Sequence, residues 1–355
     1  MHHVMIHPAT YDTVREAVER AFDIFPQDIR GKRVLIKPNV LRTSTAAEGI
    51  VTHPAVLAAV VDKVAAMKPA SLIVGDNPGL FNYGANEAAF ESTGLMNAAK
   101  GYYRNIGLDA VPVAFDADFM DTVQVSRAVL DADVVISLPK FKTHGLTVMT
   151  GAIKNSYGIL PGAQKARLHK IAGNPQRFHD LVVAVYRLRA PDLFIMDAVV
   201  GMQGNGPASP DLREIGQILA SDNAVALDAV VATMMGLEPG RLRFLQKAAD
   251  AGLGSWRMED IRVDGEVPVL ENFVLPPLGG EAVHDNAAMQ EMLSQKTQLV
   301  PRPDPDGCTA CRSCVEHCPA EALTMVDDLP RADMERCVTC FCCQEICPEK
   351  AMVLQ

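Results

Sequence analysis

The chain has 355 residues, 48% hydrophobic, 21% charged and 5% aromatic, with a formal net charge of −10 at pH 7. This composition supports a large buried core and excludes a disordered or fibrous chain, and the acidic balance with few aromatics argues against a nucleic-acid binder. No apolar run approaches the ~18 residues of a membrane span, and residues 1–11 lack the apolar stretch of a secretory leader, so a cytoplasmic protein with neither membrane nor nucleic acid as partner is expected.

Residues 33–37 read as a strand stopped by Pro38-Asn39. Thr52-His53-Pro54 marks a helix start with proline in the first turn, Val56, Val60, Val64 and Met67 form its apolar face, and Pro69 closes it. Residues 71–75 give the next strand, with Asp76-Asn77-Pro78-Gly79 as a turn at its carboxyl end. Further strands are expected at 111–115, 133–138, 193–197, 217–220 and 261–263, and helices at 176–188, 224–235 and 241–251. Such alternation predicts an α/β fold, a mainly parallel sheet with helices on both faces. Ligands of such sheets sit beyond the carboxyl ends of the strands. From about residue 265 prolines and glycines mark a linker with a short helix at 286–295, and Pro301, Pro303 and Pro305 stiffen the approach to Cys308. The expected division is an α/β domain over 1–300, linker included, and a small α+β domain over 301–355.

All nine cysteines lie between Cys308 and Cys347. Cys308, Cys311, Cys314 and Cys318 with Pro319 give Cys-x2-Cys-x2-Cys-x3-Cys-Pro, and Cys337, Cys340, Cys343 and Cys347 with Pro348 repeat it. Three close thiolates can wrap three irons of a cubane while the fourth reaches the neighbouring one. The spacing therefore predicts one 4Fe-4S cluster on Cys308, Cys311, Cys314 and Cys347 and a second on Cys337, Cys340, Cys343 and Cys318. Paired structural zinc would more typically use two Cys-x2-Cys pairs per metal. The segment resembles bacterial two-cluster ferredoxins. Cys342 fits neither motif and is expected to pack near the second cluster as a plain thiol.

Residues 134–179 contain no Asp or Glu but carry seven lysines and arginines, so this stretch is +7 inside an otherwise acidic chain. A cationic wall in a cleft concentrates anions. Lys140, Lys142 and His144 follow the strand at 133–138, and Lys154 and Asn155 lie in the glycine-bearing run Gly151 to Gly158. The competing expectation is a solvated basic surface that docks the acidic cysteine domain. Lys37 and Asn39 follow the first strand and Asp76 the second, so all could converge on one pocket. The expected anion-binding set is Lys37, Asn39, Lys140, Lys142, Lys154 and Asn155, with His144 and Asp76 as candidate proton-transfer groups. Asp228, in an otherwise apolar helix, is expected to favour that helix's own dipole.

Lys37-Pro38-Asn39, Gly75-Asp76-Asn77-Pro78-Gly79, Pro139-Lys140-Phe141-Lys142-Thr143-His144, Gly151-Ala152-Ile153-Lys154-Asn155, Gly204-Asn205-Gly206-Pro207 and Ile218-Leu219-Ala220-Ser221-Asp222 together resemble the family of unknown function numbered 362. That resemblance implies an iron-sulfur protein, many of whose relatives end in a two-cluster ferredoxin domain. Residues 151–162 are also similar to a short stretch of the lactate racemase family. The expected function is an iron-sulfur oxidoreductase or electron-transfer component. It would work with a ferredoxin-like or flavodoxin-like donor or acceptor and an anionic small molecule, for which a flavin, nucleotide or other phosphate-bearing ligand is the additional cofactor considered. The alternative is a non-enzymatic electron carrier or assembly factor that docks a partner through its basic segment.

Overall fold

The computed structural model describes residues 1–79, 84–276 and 300–354. Up to residue 276 its strands are β1 (His2–Pro8), β2 (Arg33–Pro38), β3 (Ser71–Val74), β4 (Ala110–Ala114), β5 (Thr122–Ser126), β6 (Val134–Leu138), β7 (Lys140–His144), β8 (Val148–Met149), β9 (Leu193–Met202), β10 (Leu212–Ser221) and β11 (Ile261–Asp264). The main sheet runs β11-β1-β10-β9-β6-β2-β3, and β7 branches from β9 to pair with β8. Strands β9, β6, β2 and β3 are mutually parallel, whereas β10 lies antiparallel to both β9 and β1. The sheet is thus mainly parallel with an antiparallel insertion.

Its central strands are apolar on both faces because helices cover both. In β2, Val34 and Ile36 face one core and Leu35 the other. The first core is completed by helices Val14–Ile24 and Pro54–Ala66, the second by Pro175–Leu188, Ala224–Met234 and Arg243–Asp250. The starts of these helices are chemically marked. His53 and Asn174 accept from backbone N–H groups and each precedes a proline, and Asn223 accepts from Ala226 N at 3.0 Å.

Several expectations shift. Residues 111–115 were expected in the sheet, but β4 and β5 form a separate antiparallel hairpin. The strand expected at 193–197 continues to Met202, since its second half pairs with β10 and β7. Residues 2–8 and 14–24, not foreseen, form a strand and an amphipathic helix. Val267, Leu270, Phe273 and Leu275, at the start of the expected linker, pack on the second core. The helix expected at 286–295 lies outside the described residues.

The cysteine region holds two antiparallel pairs, Pro301–Pro303 with Met352–Leu354 and Leu323–Val326 with Leu329–Ala332, and the short helices Ser313–Glu316 and Cys342–Glu345. The sequence duplication, offset by 29 from Cys308 to Cys337, is repeated in the backbone. Ala310, Arg312 and Glu321 have positive φ, as do their equivalents Thr339, Phe341 and Lys350.

Candidate functional site

The carboxyl ends of β2 and β3, together with β7, open onto a cavity capped from the far side by the cysteine region. Asn39 and Asp76 reach it from the ends of β2 and β3, Lys142 and His144 from β7, Lys154 and Asn155 from helix Gly151–Asn155, and Lys165 and His169 from helix Gly162–Ala172. Cys342, Glu345, Ile346 and His317 of the cysteine region complete the wall.

Most of the cations there are already engaged. Lys37, fully buried behind the wall, pairs with Asp76 at 2.7 Å, and Asp76 also accepts from Val40 N at 2.8 Å. Burial pushes the Asp76 carboxyl up and the Lys37 ammonium down, and their mutual attraction opposes both shifts. Lys142 donates to Ile50 O at 2.7 Å. Lys165 donates to the carbonyls of Asn77 and Pro78 and so pins the turn after β3; burial lowers it to about 7. Lys154 differs. Among the described residues its ammonium makes no hydrogen bond or ion pair and faces the rings of Tyr157 and Phe178 at 5.8 and 5.7 Å.

The polar wall has further unused capacity. Asn39 donates to Asn155 Oδ1 at 3.0 Å and Asn155 donates to Ser137 Oγ at 2.9 Å. Asn39 Oδ1, Thr150 Oγ1 and His169 Nδ1 are nevertheless buried without a partner among the described residues. Buried polar atoms are nearly always satisfied. Three orphans beside an unpaired lysine describe a wall shaped for a polar, negatively charged ligand.

The helix that carries Lys154 and Asn155 is held by Asp228, whose carboxylate accepts from Ala152 N at 2.6 Å and Ile153 N at 3.0 Å. The expectation that Asp228 serves its own helix is corrected: it sits inside Ala224–Met234 and caps a neighbour. Burial raises its carboxyl to about 7. Gly151 is required there, because its φ is +59° and a Cβ would fall 2.4 Å from Asp228 Oδ1.

His144 spans the two parts of the molecule. Leu146 N donates to its Nδ1 at 3.1 Å, which places the ring proton on Nε2, 2.9 Å from Glu345 Oε1. Burial lowers the imidazole to about 3, in keeping with this neutral form. Burial pushes the Glu345 carboxyl up, but His144, Lys154 and His169 outweigh that and hold it below its usual range. Both nitrogens of His144 are committed, as is Asp76, so a proton-transfer role for either requires the existing pair to open.

Lys140 is set apart. It pairs with Asp197 at 2.7 Å and reaches Tyr11 OH at 3.2 Å, away from the cavity. With Lys140, Lys142 and Lys165 buried, and Arg167, Lys170 and Arg177 exposed, the acid-free stretch turns most of its lysines inward.

In the cysteine region, Cys308, Cys311, Cys314 and Cys347 line one small cavity, and Cys318, Cys337, Cys340 and Cys343 line another. All nine cysteines are free thiols. The remaining walls are largely apolar, with Met325, Pro330 and Met352 around the first and Ala322, Leu323 and Val338 around the second. Four thiols around a compact apolar space fit the donor chemistry of a cubane. Cys342, outside both sets of four, lies in the wall of the second cavity and also in that of the large one. Sequence reasoning missed Thr150, Lys165, His169 and Glu345 as wall residues. For Lys165 and His169 the acid-free run was the available signal; Glu345, acidic and distant in sequence, offered none.

Comparison with known proteins decides the family. Residues 34–233 match the domain of unknown function DUF362, and residues 301–348 match a 4Fe-4S dicluster domain. The chain belongs to the DUF362 family. This DUF362 protein is 35% identical over 233 residues to the thylakoid-associated protein sll1697 of Synechocystis sp. (strain ATCC 27184 / PCC 6803 / Kazusa), spanning 63% of this chain and 69% of that one. A crystal structure of a Thermotoga maritima protein aligns at a TM-score of 0.41 and 11% identity, over 65% of this chain and 60% of that one. No helix among the described residues of the DUF362 protein is long and apolar enough to cross a membrane.

Proposed function

We propose that this DUF362 protein is an iron-sulfur oxidoreductase, or the electron-transfer component of one, that passes electrons through two 4Fe-4S clusters to an anionic substrate or cofactor in the large cavity. Cys308, Cys311, Cys314 and Cys347 would hold one cluster and Cys318, Cys337, Cys340 and Cys343 the other; the chemistry they supply is one-electron transfer. The division near residue 300 separates these cluster residues from the ligand-binding domain. A ferredoxin-like or flavodoxin-like protein is the electron partner.

The observation that carries the reading is Lys154, a partly buried lysine with no hydrogen bond or ion pair among the described residues, beside three orphaned polar atoms and against the cysteine region. The chain's own residues supply binding and orientation. Lys154 compensates the ligand's charge, Asn39, Thr150 and His169 supply polar contacts, and the Lys37–Asp76 pair with Lys165 fixes the floor. Cys342, Glu345 and Ile346 close the cavity toward the cluster region and limit water there. The inward-facing lysines weigh against the carrier or assembly-factor alternative, which needs a basic surface.

Calorimetry of the anaerobically prepared holoprotein with inorganic phosphate tests this, together with mass spectrometry of any co-purified ligand. Phosphate binding lost or weakened at least tenfold by Lys154→Ala is expected. Intact iron content with no anion bound by the wild type, or with binding indifferent to that substitution, would refute the pocket assignment.

A further inference from the structure

The two repeats of the cysteine region meet the large domain unequally. In the second, Phe341 is buried, Gln344 Nε2 donates to Asn205 O at 2.9 Å, and Glu345 pairs with His144. The equivalent positions of the first repeat, 29 residues earlier, are Arg312, Val315 and Glu316; Arg312 and Glu316 are exposed, as is Cys311. The cavity lined by Cys318, Cys337, Cys340 and Cys343 shares the Cys342 wall with the large cavity. The Cys340 backbone lies against the His169 ring. The cavity lined by Cys308, Cys311, Cys314 and Cys347 shares no lining residue with it among the described residues. One set of four therefore shares a wall with the ligand pocket, and the other, which holds the exposed Cys311, does not.

We propose that anion binding in the pocket and reduction at the inner set, Cys318, Cys337, Cys340 and Cys343, are thermodynamically linked, while the outer set is not coupled to pocket occupancy. The proposal rests on the anion-pocket reading above. An electron taken up at the inner set from a one-electron reductant adds one negative charge one residue's thickness from the site beside Lys154. In a wall of low dielectric that charge repels a bound anion. By reciprocity the bound anion opposes reduction to the same extent. The outer set shares no wall with the pocket and opens to solvent at Cys311, where screening weakens the effect. Reduction of the inner set thus releases the anion, and its reoxidation favours recapture.

The test is an anaerobic dithionite titration of the holoprotein followed by electron paramagnetic resonance, with and without inorganic phosphate. Phosphate is expected to lower one of the two midpoints and leave the other unchanged; tenfold weaker binding to the reduced form corresponds to about 59 mV for a one-electron couple. Lys154→Gln, without phosphate, should lower the same midpoint and abolish the phosphate effect. Lys350→Gln removes a cation adjacent to Glu349, which lines the outer cavity, and should lower the other. Phosphate that binds by calorimetry yet shifts both midpoints equally, or neither, overturns the linkage. Should phosphate not bind at all, the pocket reading fails on its own, and Lys154→Gln still decides the placement: one midpoint lowered supports an inner set, both or neither refutes it.

Discussion

His144 Nε2 and Glu345 Oε1, 2.9 Å apart, tie the end of β7 to the helix that follows Cys340. Removing one partner leaves a buried ring N–H without an acceptor, a cost of about 1–3 kcal/mol. Glu345→Ala is therefore expected to lower the anaerobic melting temperature and speed deuterium uptake around residues 144–147. Glu345→Gln keeps an acceptor oxygen and should be milder; equal effects of the two would contradict the neutral-imidazole contact.

Lys140 and Lys154 belong to one basic segment but should respond oppositely. Lys140→Ala strands the buried Asp197 carboxylate, and breaking such a pair costs about 3–5 kcal/mol. A large loss of stability with unaltered phosphate affinity in the folded fraction is expected, whereas Lys154→Ala should impair binding and leave stability nearly intact. Thermal melts beside calorimetry for both variants check the contrast.

Gly158 leaves no room for a side chain. A Cβ there would sit 2.1 Å from Asp76 Oδ1 and 2.7 Å from Lys37 Nζ, so Gly158→Ala should force the buried pair apart and lose about 3–5 kcal/mol. At Gly31, where φ is +71° and nothing lies within 4 Å, alanine meets only backbone strain of about 1–2 kcal/mol. Chemical denaturation of the two variants should reproduce that order.

Asp228 has a folded-state pKa of about 7 against an ordinary value of 3.8. The folded chain therefore holds the extra proton between those values, and stability present below pH 3.8 is lost as pH rises through about 7. Asp228→Asn, which cannot ionise, should remove that decline, worth at most about 4 kcal/mol. Melts of both proteins between about pH 3.5 and 7.5 should converge at the acid end and separate up to about pH 7; parallel curves would show that Asp228 is ionised throughout.

Cys342 is expected to be dispensable for iron. Cys342→Ala should retain about eight irons per chain, while Cys343→Ala, which removes a member of the inner set, should lower iron and sulfide together. Loss of iron in the first variant would make Cys342 a ligand.

The strand–helix alternation was readable because the parallel strands are apolar on both faces and their helices begin with caps and prolines. β1 was not, since His2, His3 and His7 interrupt its apolar residues and its stability comes from partners on both sides. Strand ends rich in Lys, Asn and Asp pointed to the cavity. Sequence could not divide its lysines, because the counter-ions of Lys37 and Lys140, Asp76 and Asp197, are distant in the chain. Glu345 was hidden for the same reason: only docking of the cysteine region turns an ordinary acid into part of a basic wall.

The place of β1 between β10 and β11 also sets an order of assembly. His2 pairs with Ile261 and Met5 with Ala220, so β1 must wait for about 200 further residues before β10 exists and for about 250 before β11 does. Until then its apolar residues need shelter from other chains. Every cysteine lies beyond Ile261, so the sheet can close before these thiols are translated, and loading of iron can begin on a platform already folded.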